Sequence, residues 1–163
     1  MKRPITELKP HEVLHAAIWI ERRNTAIYEN YAQMFRGYDE EIERAFVEMA
    51  EEETRHGEAL QALYRRKFGD LACSVTDEDV QDVIEAPVLE DGEVFITDSM
   101  RLVDALRVAL KAEQRAAGFY RQLTSLTSDP DLCAIYSELA GVEVGHEALI
   151  EAKLTQYQSA ARG

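Results

Sequence analysis

Residues 39–67 read DEEIERAFVEMAEEETRHGEALQALYRRK, and residues 130–157 read PDLCAIYSELAGVEVGHEALIEAKLTQY. Sampled every three or four residues, the first gives Ile42, Phe46, Met49, Glu53, His56, Leu60 and Leu63. The second gives Leu132, Tyr136, Leu139, Glu143, His146, Ile150 and Leu154. That spacing traces one face of an α-helix. Each apolar face is broken halfway along by a glutamate, and a histidine follows three residues later on the same face. Two further stretches share the pattern without the histidine. They are Leu14, Ile18, Glu21, Thr25, Tyr28, Ala32 and Phe35, and Leu102, Leu106, Ala109, Glu113, Ala117, Tyr120 and Thr124.

Working outward, the chain is predicted to form helices over 10–36, 39–67, 98–127 and 130–157. Strong helix formers fill them, and the few glycines and prolines fall at their ends. Gly37 stops the first helix, Asp39 caps the second, and Asp129-Pro130 sets a cap followed by proline in the first turn of the fourth. Two of the connections are tight, so helices one and two, and helices three and four, form antiparallel hairpins. The connection over 70–97 has 28 residues and carries Pro87, Asp91-Gly92 and the apolar run Val94-Phe95-Ile96, with a short helix expected over 76–85. A helix of ~27 residues is ~40 Å long. A connection of this length suits a crossover that returns the chain along the whole helix, so that helices two and three run parallel. The expected fold is all-α: a four-helix bundle of two antiparallel hairpins joined by a long crossover, in one domain over 1–163. This is the arrangement of ferritin-like folds.

Composition narrows the function. Lys and Arg number 18 against 31 Asp and Glu, a net charge of −13 over 163 residues. Such a chain repels phosphate, which argues against nucleic acid and against anionic membrane surfaces. No apolar run approaches the ~18–20 residues of a membrane span. The basic start Met1-Lys2-Arg3-Pro4 has no apolar stretch behind it, so no signal peptide is expected and the cytoplasm is the default compartment. Cys73 and Cys133 are the two cysteines, far apart and outside any Cys-x-x-Cys pair. A disulfide framework and a cysteine-ligated metal are therefore not expected, and both are read as plain thiols.

The four glutamates share a depth. Glu21 lies 16 residues before Gly37 and Glu53 lies 16 after it; Glu113 lies 15 before Ser128 and Glu143 lies 15 after it. The halves also repeat. Helices two and four align at an offset of 90, pairing Glu53 with Glu143 and His56 with His146. Helices one and three align at 92, pairing Glu21 with Glu113 and Tyr28 with Tyr120. A buried, unpaired carboxylate costs several kcal/mol, so four of them at one level make sense only with cations between them. Glu12-x-x-His15 repeats the motif off the stripe and reads as a solvated helix start without a site role; His11 is expected to be exposed. In Glu51-Glu52-Glu53 one member points inward and the others form a solvated face. Trp19 and Met49 read as core or interface.

One glutamate from each of two helices, with Glu-x-x-His from each of the other two, is the ligand set of ferritin-like di-iron carboxylate proteins. On Glu21 with Tyr28, Glu53-x-x-His56, Glu113 and Glu143-x-x-His146, the chain resembles the rubrerythrin branch of that superfamily over about 10–157. The resemblance implies two iron ions per site, with manganese or zinc suited to the same donors. Glu53 and Glu143 would bridge the metals, Glu21 and Glu113 would be terminal ligands, and His56 and His146 would each supply a nitrogen. It implies a homodimer and an oxidoreductase that reduces hydrogen peroxide or dioxygen. No rubredoxin-like segment is expected in this chain, so electrons would come from a separate donor such as a rubredoxin-like protein. Rubrerythrins usually place a second glutamate three residues after the helix-three ligand; here that residue is Ala116. A ferroxidase acting in iron storage or detoxification is the alternative, and a bundle with structural zinc a third reading. Tyr28 and Tyr120 are candidates for hydrogen-bond donors or a radical relay beside the metals, against a plain packing role.

Overall fold

A computed structural model describes residues 5–71 and 98–160. Among the described residues four long α-helices follow one another, α1 Pro10–Phe35, α2 Glu40–Phe68, α3 Asp98–Leu126 and α4 Pro130–Ala160, preceded by a 3-10 turn at Ile5–Glu7. Among the described residues there is no strand. The expected helices agree to within a residue or two except at the far end of α4, which runs on to Ala160. The connection expected over 70–97, with its short helix over 76–85 and Cys73, lies outside the described residues beyond Leu71. No described helix is long and apolar enough to cross a membrane.

The helices fall into two compact units, one hairpin each. In the first, α1 ends at a reversal where Gly37 takes a positive φ of 74°, a conformation open to glycine without steric cost. Asp39 then caps α2: its carboxylate accepts the backbone N–H groups of Glu41 and Ile42, each at 3.1 Å, satisfying two donors the helix start leaves free. The core of this hairpin is aromatic toward the turn. Phe46 stacks on Tyr28 at 6.0 Å and on Phe35 at 5.9 Å, with Tyr31 tilted against it at 5.1 Å. Met49 is buried. Trp19 lies half-buried with the Arg23 guanidinium over its ring.

The second hairpin repeats the device. Asp129 accepts from the N–H groups of Asp131 and Leu132 at 3.0 and 3.2 Å, and Pro130 occupies the first helical position, where a missing N–H costs nothing. Toward its turn Tyr120 stacks on Tyr136 at 6.2 Å, with Phe119 edge-on to Tyr120 at 5.3 Å. Cys133 is a half-buried free thiol.

The start of α1 differs from the sequence reading. Glu12 is buried, not solvated, because its carboxylate turns back to accept the Lys9 N–H at 2.9 Å and closes the first turn. His11 and His15 are half-buried rather than exposed: their rings pack edge-on against Phe68 and Tyr64 on the last turns of α2. Burial, with the Arg22 charge adding to it, holds His15 below the usual histidine range.

Candidate metal centre

Each hairpin brings a Glu, Glu, His cluster together at mid-height. In the first, α1 supplies Glu21 and α2 supplies Glu53 and His56; in the second, α3 supplies Glu113 and α4 supplies Glu143 and His146. The antiparallel register places each partner level, and the three-residue step puts Glu and His on neighbouring positions of one helix face. All four glutamates are fully buried. Within each cluster, every residue offers a ligand atom within 4.8 Å of the others.

Within each cluster the imidazole faces both carboxylates. His56 Nδ1 lies 3.3 Å from Glu21 Oε2 and 3.9 Å from Glu53 Oε2. His146 Nδ1 lies 3.2 Å from Glu113 Oε2, aligned as a hydrogen bond, and 3.5 Å from Glu143 Oε2. Burial by itself lowers the His56 pKa, but the Glu21 and Glu53 carboxylates overcome that and raise it to about 9. Without a metal, a proton on the imidazole supplies part of the positive charge the carboxylates demand. Four buried carboxylates still outnumber two imidazoles, and Glu113 Oε1 has no hydrogen-bond partner among the described residues. The donor set, carboxylate oxygen with imidazole nitrogen, suits iron, manganese or zinc. The residues present therefore fit a divalent metal.

The neighbours follow the same logic. Thr25 and Thr124 lie on the stripes, and each spends its hydroxyl on a backbone carbonyl one turn earlier, Glu21 O at 3.0 Å and Tyr120 O at 2.9 Å. Tyr28 and Tyr120 are completely buried in the aromatic layers on the turn side of the clusters. The Tyr28 hydroxyl has no hydrogen-bond partner among the described residues. Glu51 is exposed, Glu52 ion-pairs with Arg55 at 3.5 Å near the surface, and Glu53 alone turns inward. Ala116 is buried, so no carboxylate occupies that position.

Two residues beside the clusters escape the stripe reading, and Tyr136, which lies on its stripe, carries more than that reading shows. Asn24 is 2% exposed on α1; its signal was a polar residue three places after Glu21. Gly57 is buried at the α1–α2 contact, where an added Cβ would meet Glu21 Cβ at 3.4 Å. Tyr136 carries a buried hydroxyl without a partner among the described residues, and burial followed by the Asp129 charge pushes its pKa up. No sequence feature marks that hydroxyl, since tyrosine and phenylalanine fill a stripe equally well.

Comparison with known proteins agrees with this chemistry. The Rubrerythrin family model matches residues 12–154, which include all six clustered residues. Among solved structures, a hypothetical protein from Pyrococcus furiosus shares the fold at a TM-score of 0.80, with 24% identity over 95% of this chain and 94% of that one. No curated protein matches the chain.

Proposed function

We propose, from the premise that this chain belongs to the rubrerythrin family of ferritin-like di-iron proteins, that it is a non-haem di-iron oxidoreductase reducing hydrogen peroxide, or dioxygen, with electrons from a separate donor protein. One observation carries the reading: each hairpin brings two buried glutamates and a histidine together as a set of metal-ligand atoms within 4.8 Å of one another. Glu21, Glu53, His56, Glu113, Glu143 and His146 would hold the two iron ions. When bound, iron supplies the electrons that cleave the O–O bond.

The chain's own residues do the rest. The carboxylates balance the cations and fix their spacing. The apolar positions above and below, among them Met49, Leu60, Leu139 and Ile150, keep bulk water away, which strengthens each electrostatic contact. His56 gives up its Nδ1 proton to act as a ligand. Tyr28 keeps a buried hydroxyl whose proton is not committed to any described group, ready for an oxygen ligand; Tyr120 is its counterpart by sequence alignment. Peroxide takes up two electrons and two protons and leaves as two waters. We place the reaction in the cytoplasm and expect a homodimer.

The test is anaerobic ferrous loading followed by peroxide. About two irons per chain and rapid oxidation are expected, with loss of both in Glu53→Ala and His146→Ala while the circular dichroism stays helical. Full turnover in both variants would sink the proposal. A ferroxidase is the alternative, which the acidic surface accommodates by attracting cations. It is read from the same experiment by oxygen-driven oxidation that leaves many ferric ions per assembled chain.

A further inference from the structure

We propose that the outer face of α4 is the surface on which two copies of this chain pair, α4 against α4, antiparallel about a two-fold axis. The inference gives the homodimer expected above a face, and it stands apart from the di-iron reading.

The face is the row Gly141, Val144, Gly145, Ala148, Leu149 and Ala152, at helical spacing on the side of α4 away from Glu143 and His146. All six are exposed and none is charged. Val144 and Leu149 are 41% and 39% exposed, high for large apolar side chains. In α2 the positions aligned with Gly141, Gly145 and Ala148 are Glu51, Arg55 and Glu58, all exposed. α2 thus turns charge to the water, as a surface helix does. Along this row α4 does not, although the two helices repeat each other on their inner faces.

The glycines are a second, separate observation. Glycine inside a helix is destabilising relative to alanine. Gly57 has its reason within the chain, in the approach of Glu21. For Gly141 and Gly145, an added Cβ meets nothing within 4 Å among the described residues, and neither takes a positive φ. What their missing side chains admit is a second backbone, which small residues allow to come close.

The row itself selects the occupant. It reads alike in both directions about the point between His146 and Glu147: Gly141 mirrors Ala152, Val144 mirrors Leu149, and Gly145 mirrors Ala148. A two-fold pair of antiparallel helices sets mirrored positions level with each other. Gly141 then meets Ala152 of the other copy and Gly145 meets Ala148, small against small, so the backbones close in. Val144 and Leu149 of opposite copies lie side by side and seal both edges of the seam. Charge agrees. Each copy carries −13, so two copies repel through their charged faces, and a row free of charge is where they approach with least repulsion.

Light scattering on the full, metal-free chain after size exclusion is the test, with Ala148→Glu beside wild type. The expected result is a wild-type particle of twice the 18.5 kDa chain mass. The variant dimer should be weakened at least ~100-fold, because like charges then face each other across the seam. Register is read by mixing Val144→Cys chains with Leu149→Cys chains, both also carrying Cys73→Ser and Cys133→Ser: oxidation should crosslink the mixture and neither variant alone. A wild-type chain that stays monomeric overturns the inference, and flotation of that monomer with phosphatidylcholine vesicles would give the face to a lipid surface instead. A dimer that Ala148→Glu leaves equally tight, or that gives no crosslink in the mixture, overturns it too. Should Ala148→Glu fail to fold, Gly141→Glu, with open space for its side chain, is read by the same outcomes. Iron content decides the di-iron reading separately, so either can fall without the other.

Discussion

The two hairpins are built to one plan and differ in their packing. Both have an aspartate-capped turn, an aromatic layer and a Glu, Glu, His cluster at mid-height. The cluster distances nearly coincide, 3.3 Å between Glu21 and His56 against 3.2 Å between Glu113 and His146. The second pair is aligned as a hydrogen bond, whereas His56 Nδ1 is not. Around the clusters the halves diverge: Phe46 faces Tyr28 where Tyr136 faces Tyr120, Tyr31 aligns with Leu123, Asn24 with Ala116, and Gly57 with Glu147. What the halves share is the charge chemistry of the clusters. What they do not share is the volume and polarity around them, which many residues can satisfy as long as the core stays filled.

The sharpest way to break the comparison is to remove one histidine from each half. His56→Ala and His146→Ala should each cost more than ~100-fold in peroxide turnover and lower iron content below two per chain. A half whose variant keeps full activity does not hold a metal that the reaction needs. Proton competition sharpens it next. Because the metal-free His56 pKa is about 9, iron must displace its proton at neutral pH, and ferrous affinity measured from pH 8 to pH 6 should fall about tenfold per unit. His56→Ala should flatten that slope.

The aromatic layers predict a difference at high pH. Burial raises the Tyr31 pKa from 10 to about 12, while an unfolded tyrosine ionises near 10. The folded pKa is the higher one, so this stability is intact below pH 10 and is lost as pH rises through 12. Denaturation from pH 9 to 12 should show a decline of roughly 2–3 kcal/mol from this residue, absent in Tyr31→Phe. Tyr136 shifts in the same direction, so the double variant with Tyr136→Phe should decline least. The smallest effects are expected at the caps. Asp39→Ala and Asp129→Ala should each cost ~1 kcal/mol by chemical denaturation, and similar values would confirm that both turns are closed alike.

The helices and the six clustered residues were legible because they depend on spacing. A glutamate inside an apolar stripe, level with another across a tight turn, has few explanations. Glu12 was misread because the same residue type serves two purposes. Off the stripe it reads as solvated, yet three places after the helix boundary its carboxylate finds the Lys9 N–H. His11 and His15 were misjudged because their cover comes from Tyr64 and Phe68, more than forty residues later in the chain. Asn24 was passed over because it sits beside the stripe rather than in it, and a lone amide there looks like surface until its burial is known.

Gly57 sets a mechanical tolerance. With no side chain at that position, α1 and α2 meet closely enough that an alanine there would just touch Glu21. Anything bulkier would act as a shim, spreading the first hairpin at the level where Glu21 and His56 stand. The second hairpin has Glu147 at the aligned position, half-buried, and has no such gauge. The bore of the first half is thus set by an absent side chain, and a change there would reach the centre through dimension alone, with every ligand still in place.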